Sequence, residues 1–484
     1  MPLSPDYIRL VLNDNFEDAK RLFLGPLMAI HYAHLVMLAD QGILAREDAR
    51  RIRTALDAID LAAVREAMYD GTCEDLFFHV ERALAAAGGG DAAGHLHTAR
   101  SRNDIDMTMY RMRQREWLLE LIDRGLALRR ALLDAADRHV TTIFPAHTHT
   151  QPAQPTTVAH YLLAVVEQAE RDTSRLLAAY ATTNRSPLGA CAITGTGFPI
   201  DRQRTSDLLG FDGPTGNTYG SIATIDYTLE GAAAAAVALV GLGRFVQDLL
   251  LWSTVEVGYV RLADGLVQTS SIMPQKRNPV ALEHARALTS KALGQAQALP
   301  LVVHNTPFGD IVDTEDDLQP LVATMFRDAS RAIALTAAAV AGAEFDAAAM
   351  RERAGANWVT ITELADTLTR DHHLPFKTAH AVAAEVVRAS AADSEARPGA
   401  LLAQASRHVT GEALQIDEDA LARVLSPEYF VAVRRTLGGP APEIVTEALA
   451  QARARITGDD GELTRRRGSL AAAEARLKDA ARQL

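Results

Sequence analysis

The sequence predicts an all-α protein built round a central bundle of long helices, and three observations carry that reading. Aromatic residues make up only 5% of the chain while Ala and Leu are abundant, and those two residues lose little side-chain entropy in a helix. No proline occurs from Thr215 to Met273, from Val280 to Leu299, or from Leu321 to Leu374, so long helices can run there unbroken. From Arg115 to Val140, the residues Leu118, Leu121, Ile122, Gly125, Leu128, Leu132 and Ala135 fall on one stripe, with Glu, Asp and Arg between them. That is a helical period, and no long run alternates by two as a strand would.

A chain of 484 residues is long for one domain. Helices this long pack best side by side, which suggests an N-terminal helical domain over 1–105, a helix bundle over 106–356 and a C-terminal helical domain over 357–484. The opening MPLSPDYIRLVLNDNF has no basic patch followed by an apolar run, so no signal peptide is expected. The apolar stretch Gly231 to Gly243 stops at Arg244, short of the roughly 18–20 residues that span a bilayer. It is expected as a buried helix whose small residues allow close packing. GGPAPE, Gly438 to Glu443, reads as a turn, and the charged, Ala-rich tail from Asp459 to Leu484 as one exposed amphipathic helix.

Net charge is −12, whereas a nucleic-acid or anionic-membrane binder is more often basic; a cytoplasmic protein is expected. Cys73 and Cys191 are too few for a disulfide framework or a Cys-based zinc site and are expected as reduced thiols.

Three stretches are too polar for scaffold. His95 to Met109 gathers His97, Thr98, Arg100, Ser101, Arg102, Asn103 and Asp104. Guanidinium forks with Asn and Thr donors suit a carboxylate, and the same residues also suit a capped helix start. Phe144 to His160 carries His147, His149 and His160 among Pro145, Pro152 and Pro155. Prolines preset the backbone round a positioned group. With no carboxylate close by, a metal site is disfavoured, and His160 reads as a packed core histidine. Thr269 to Arg286 sets Ser270 and Ser271 before Met273, Pro274, Lys276, Asn278 and Pro279, then opens a helix with Glu283. A point charge and an amide donor in a loop can stabilise a dianion, although Lys and Asn are also ordinary turn residues.

Together these stretches resemble the fumarase/aspartase superfamily of lyases, and within it the argininosuccinate lyases. The third matches Ser-Ser-x-Met-Pro-x-Lys-x-Asn-Pro at every defined position, and Gln275 points to the argininosuccinate lyase branch. The first resembles that branch's His-Thr-Gly-Arg-Ser-Arg-Asn-Asp, with Ala99 for Gly. The second matches through Thr148, His149, Gln151, Ala153, Gln154 and Pro155, and Phe198 to Gly213 is a fourth match.

The resemblance implies three helical domains, a homotetramer with a 20-helix core, and active sites built from three subunits. It implies β-elimination of an N-substituted aspartate to fumarate and an amine, with no metal and no organic cofactor. Ser270 is then the base at Cβ, with Lys276 and Asn278 stabilising the aci-carboxylate. His149 serves the leaving nitrogen, tuned by Glu283. Thr98, Arg102, Asn103, Thr148, Gln151, Ser271, Met273 and Asn278 bind substrate.

Some positions depart from the family. Glu-Asp-x-His reads Glu74-Asp75-Leu76-Phe77, and Ser-Asp-Arg-Asp reads Ala223-Thr224-Ile225-Asp226. The Tyr, Gln and Lys that hold the arginine half align with Phe308, Asp313 and Asp316. Acids in place of a lysine disfavour the arginine carboxylate and favour an amine. Argininosuccinate is therefore the best single substrate, and another N-(dicarboxyethyl) amine such as ethylenediamine-N,N′-disuccinate is the rival. A non-catalytic scaffold is disfavoured because the Ser-Lys-Asn loop has no structural purpose.

Overall fold

The computed structural model describes residues 3–393 and 395–484. Long helices dominate: α1 (Asn13–Asp40), α2 (Arg102–Arg138), α3 (Val158–Thr183), α4 (Asp226–Trp252), α5 (Val280–Val303) and α6 (Gln319–Ala341). The last five form a ring in which α2 packs on α3, α3 on α4, α4 on α5, α5 on α6, and α6 on α2. The predicted stripe on α2 faces the ring's interior, where Leu118, Leu121, Ile122, Leu128, Leu132 and Ala135 are all buried.

Chain direction alternates from α2 through α6, the closing pair α6 and α2 running parallel, and this places the functional stretches. Gln114 near the start of α2 donates to Thr183 Oγ1 at the end of α3 (3.1 Å) and to the Tyr227 carbonyl at the start of α4 (2.7 Å). At the opposite end Phe144 lies edge-on to Trp252, the last residue of α4, with ring centroids 4.9 Å apart. The 37 residues of α2 carry its first residue, Arg102, about 55 Å from the Phe144 end at 1.5 Å per residue.

Strands are few and short. β1 (Ile143–Thr148) pairs antiparallel with β2 (Gln151–Thr157), β3 (Val260–Arg261) with β6 (Glu344–Phe345), and β4 (Gln268–Thr269) with β5 (Arg277–Asn278). Three further helices, α7 (Ile361–Arg370), α8 (Phe376–Ala392) and α9 (Pro398–Thr410), close a separate core round Leu364, Leu368, Val382 and Leu402.

Two expectations change. The tail does not stand free: it is part of α10 (Pro442–Arg482), which lies along α2, α3 and α1. Leu463, Ala473, Leu477 and Ala481 are buried at helical spacing, and fully buried Arg129 binds Asp459. The stripe is amphipathic because it docks. The Gly231–Gly243 run is buried on one face only, since Val237 is 45% and Val240 50% exposed. By length and composition α1 with its preceding turns and α4 could each cross a bilayer, but α1 is largely buried and α4 supplies a wall of the bundle.

Candidate active site

The first stretch becomes the capped start of α2. Ala99 stands at φ 61°, the left-handed region that glycine adopts without strain, where the resembled family carries Gly. Ser101 caps the helix, its hydroxyl accepting from Asn103 N while Asp104 accepts from Ser101 N at 2.9 Å. Asp104 is fully buried and also accepts from Gly189 N (2.8 Å) and Cys191 N (2.9 Å). Burial pushes its carboxyl up to about 6, against those three amides, which lower it. The carboxylate thus ties the loop near residue 190 to the helix start, and Ala192 O then accepts from Asn103 Nδ2 at 3.0 Å.

The donors of this stretch are engaged within the chain. Arg102 donates to Asp75 Oδ2 at 2.5 Å and to Glu74 Oε1 at 3.4 Å. Asn103 Nδ2 also donates to Asp310 Oδ2 at 2.7 Å. Thr98 is half-buried, and its carbonyl accepts from His34 Nε2 at 2.8 Å.

Round Arg102 and Asn103 lies a group of acids that the sequence did not bring together: Asp75, Asp106, Asp310, Glu315 and Asp316. Glu315 is pushed up to about 8 by burial first, then by a hydrogen bond to Asp310 and the neighbouring charges. Asp106 is raised by burial and by Asp316, Asp75 and Glu315. Asp316 accepts from the Tyr110 hydroxyl at 2.9 Å, and burial raises it. Of the three aligned amine-side positions, Asp316 joins this group. Asp313 is exposed, and Phe308 stacks on Tyr219 with centroids 6.1 Å apart. Asp310 and Glu315 carried no local signal beyond the acidity of NTPFGDIVDTEDDLQ; Asp310's partner, Asn103, is 207 residues away in sequence.

The second stretch is the β1–β2 hairpin. Thr148 pairs with Gln151, so His149 and Thr150 form a two-residue turn with φ of 51° and 64°. Both left-handed values match a type I′ turn. Neither residue is Gly, and holding such a pair costs about 1–3 kcal/mol per residue. The turn thrusts the exposed His149 out from the bundle end. His160, half-buried, contacts Thr156 Oγ1 at 2.8 Å and Gly438 O at 2.9 Å, as a packed histidine should.

The third stretch is the β4–β5 hairpin and the start of α5. Arg277 anchors it to Asp264 (2.7 Å) and to Leu262 O (3.1 Å). Ser270 Oγ accepts from Met273 N (3.0 Å) and Ile272 N (3.3 Å). Two amide donors on one hydroxyl oxygen favour negative charge there. Ser271, Met273 and Lys276 are exposed on the same loop, Asn278 is half-buried on β5, and Glu283 is exposed in the first turn of α5.

The two hairpins therefore sit at one end of the bundle, and Thr98, Arg102 and Asn103 at the other. A substrate the size of an amino-acid conjugate cannot bridge about 55 Å.

Comparison with known proteins bears on this arrangement. Residues 35–294 match a family model described as lyase, and residues 358–432 match one described as argininosuccinate lyase C-terminal. Argininosuccinate lyase 2 of Agrobacterium fabrum is 42% identical over 480 residues, covering 98% of this chain and 95% of that one. An argininosuccinate lyase of Methanoculleus marisnigri is 38% identical over 445 residues, covering 91% and 89%. The structure of an EDDS lyase variant with bound fumarate superposes with a TM-score of 0.88 at 32% identity, covering 100% of this chain and 96% of that one. A fumarate lyase from Mesorhizobium sp. BNC1, at 19% identity and a TM-score of 0.75, shares the fold. The chain is a carbon–nitrogen lyase, and it belongs to the argininosuccinate lyase branch of the fumarase/aspartase superfamily.

Proposed function

We propose that this lyase cleaves argininosuccinate to arginine and fumarate, in the cytoplasm, at sites shared between the subunits of a homotetramer. The observation that carries the chemistry is the Ser270 oxygen, held by two backbone amides on an exposed hairpin beside Lys276 and Asn278. Ser270, its own hydroxyl proton released to solvent and the alkoxide held by the Met273 and Ile272 amides, takes the Cβ proton. The electron pair is held as an aci-carboxylate by Lys276 and Asn278, then forms the C=C bond of fumarate as the C–N bond breaks. His149 delivers a proton to the departing nitrogen, with Glu283 from another subunit as its carboxylate partner. Thr148, Gln151, Ser271 and Met273 line the succinyl half, and Thr98, Arg102 and Asn103 enter from a third copy. For a division of the chain at 105/106 and 356/357, the separate core of α7 to α9 supports the second boundary, while the first falls inside α2.

The separation of the stretches along α2 supports assembly from several copies, and the half-exposed apolar face of α4 supplies a surface for it. Val240→Glu puts a charge on that face. It is expected to shift the protein to smaller species in light scattering and to abolish fumarate release. An unchanged mass would refute the use of this face.

A second reading concerns the amine. Asp316, aligned with a position that holds the arginine half, stands beside Asp106 and Glu315, so carboxylates line the side that the arginine carboxylate would meet. Such a wall attracts a protonated amine. Purified protein is to be given argininosuccinate and ethylenediamine-N,N′-disuccinate separately, with fumarate followed by absorbance. Fumarate from argininosuccinate supports the first reading; fumarate from the disuccinate alone transfers the assignment to the second. In the second case Asp310→Asn is expected to lower kcat/KM about tenfold, roughly 1.4 kcal/mol.

A further inference from the structure

We propose that the groove between α2 and α6, midway along the bundle, is a binding site for a small phosphate-bearing anion. The groove encloses about 480 Å³ and is walled by four arginines, Arg21, Arg124, Arg327 and Arg331, against a single carboxylate, Glu120. In a chain of net charge −12 this is a local inversion of the field, and a concave wall concentrates it.

The arginines are not neutralised by their own partners. Arg327 and Arg331 share the buried carboxylate of Asp328 at 3.4 and 3.2 Å, and Lys291 occupies its other oxygen at 2.8 Å. Three cations thus divide one negative charge. Arg124 reaches Glu120 only at 3.4 Å. Of the four, Arg21 alone has a close carboxylate to itself, Asp18 at 2.6 Å. Each of these guanidiniums remains about half exposed, so their free N–H groups are open to a ligand.

The floor is built as well as charged. Trp117 stacks on Phe326 at 6.0 Å and 26°, giving a rigid apolar base. Ser330 lines the same groove and is only 6% exposed. Planar guanidinium forks bind phosphate oxygens in pairs, and a buried hydroxyl adds one further donor. The catalytic chemistry uses none of these residues, so the site stands apart from the reading of the active site.

The test is calorimetric titration of the full-length protein with inorganic pyrophosphate, with citrate as a carboxylate of similar charge. One saturable site per chain is expected for pyrophosphate, at least about tenfold tighter than citrate, weakening as salt screens the arginines. The Arg327→Ala/Arg331→Ala double variant, and separately Arg124→Ala, should each lose about tenfold or more in affinity, with fumarate release in pyrophosphate-free buffer unchanged. Arg124→Ala leaves Asp328 and its partners intact, which guards against a folding defect in the double variant. No saturable heat, equal binding by both variants, or equal affinity for citrate would overturn the proposal. So would a change of subunit association in either variant, since the groove would then be a contact between copies.

Discussion

Ser270→Ala is expected to lower kcat by about a thousandfold or more while leaving KM and oligomer mass nearly unchanged. Removing the group that takes the proton forfeits general-base catalysis, about 10²–10⁴-fold on its own. It also removes the atom on which the Met273 and Ile272 amides converge. Those amides stabilise the Ser270 alkoxide that accepts the proton, so they set how much of the bound enzyme carries the active base, and their contribution appears in kcat. The structural cost is small, because the loop is exposed and water replaces the lost acceptor. Steady-state fumarate release with light scattering on the same sample decides the matter. Full turnover by the alanine variant would remove Ser270 from the mechanism.

Asp104→Ala should be the most destabilising single change near the site. Its carboxylate is 0% exposed and accepts three backbone amides, from Ser101, Gly189 and Cys191. Truncation leaves three buried or half-buried donors unpaired, at about 1–3 kcal/mol each, one of them the Ser101 amide of the capping box. A loss of about 3 kcal/mol or more follows. Gly189 and Cys191 stand at φ of 89° and 52°, so their amides turn inward as a cup for an anion. Without the carboxylate, Ala192 O no longer has a fixed place beside Asn103, and kcat/KM should fall as well. Urea unfolding followed by circular dichroism measures the first effect. A midpoint unchanged from the parent would show that the cup is held by other contacts.

The helices were legible in the sequence because burial on a bundle helix repeats with the helical period. The stripe from Leu118 to Ala135 faces the interior as expected. The three polar stretches were legible because each is local: a capped helix start, a proline-rich hairpin and a Ser-Lys-Asn loop. Periodicity states which face is apolar but not what covers it. Hence the tail of α10, read as exposed, proved to be docked on α1, α2 and α3, and α4, read as buried, proved to be half open.

By itself the sequence determined the fold class, the family motifs and the residues able to carry elimination chemistry, because these are fixed by residue type and short spacing. Only the tertiary structure decided that Arg102 and Asn103 are held by Asp75 and Asp310, that Glu315 is pushed up to about 8, and that α2 parts the His149 hairpin from its own chain's Arg102. Each of these depends on the alternating directions of five helices. That packing brings residues two hundred positions apart within hydrogen-bond reach and separates others, less than fifty apart, by the length of the bundle.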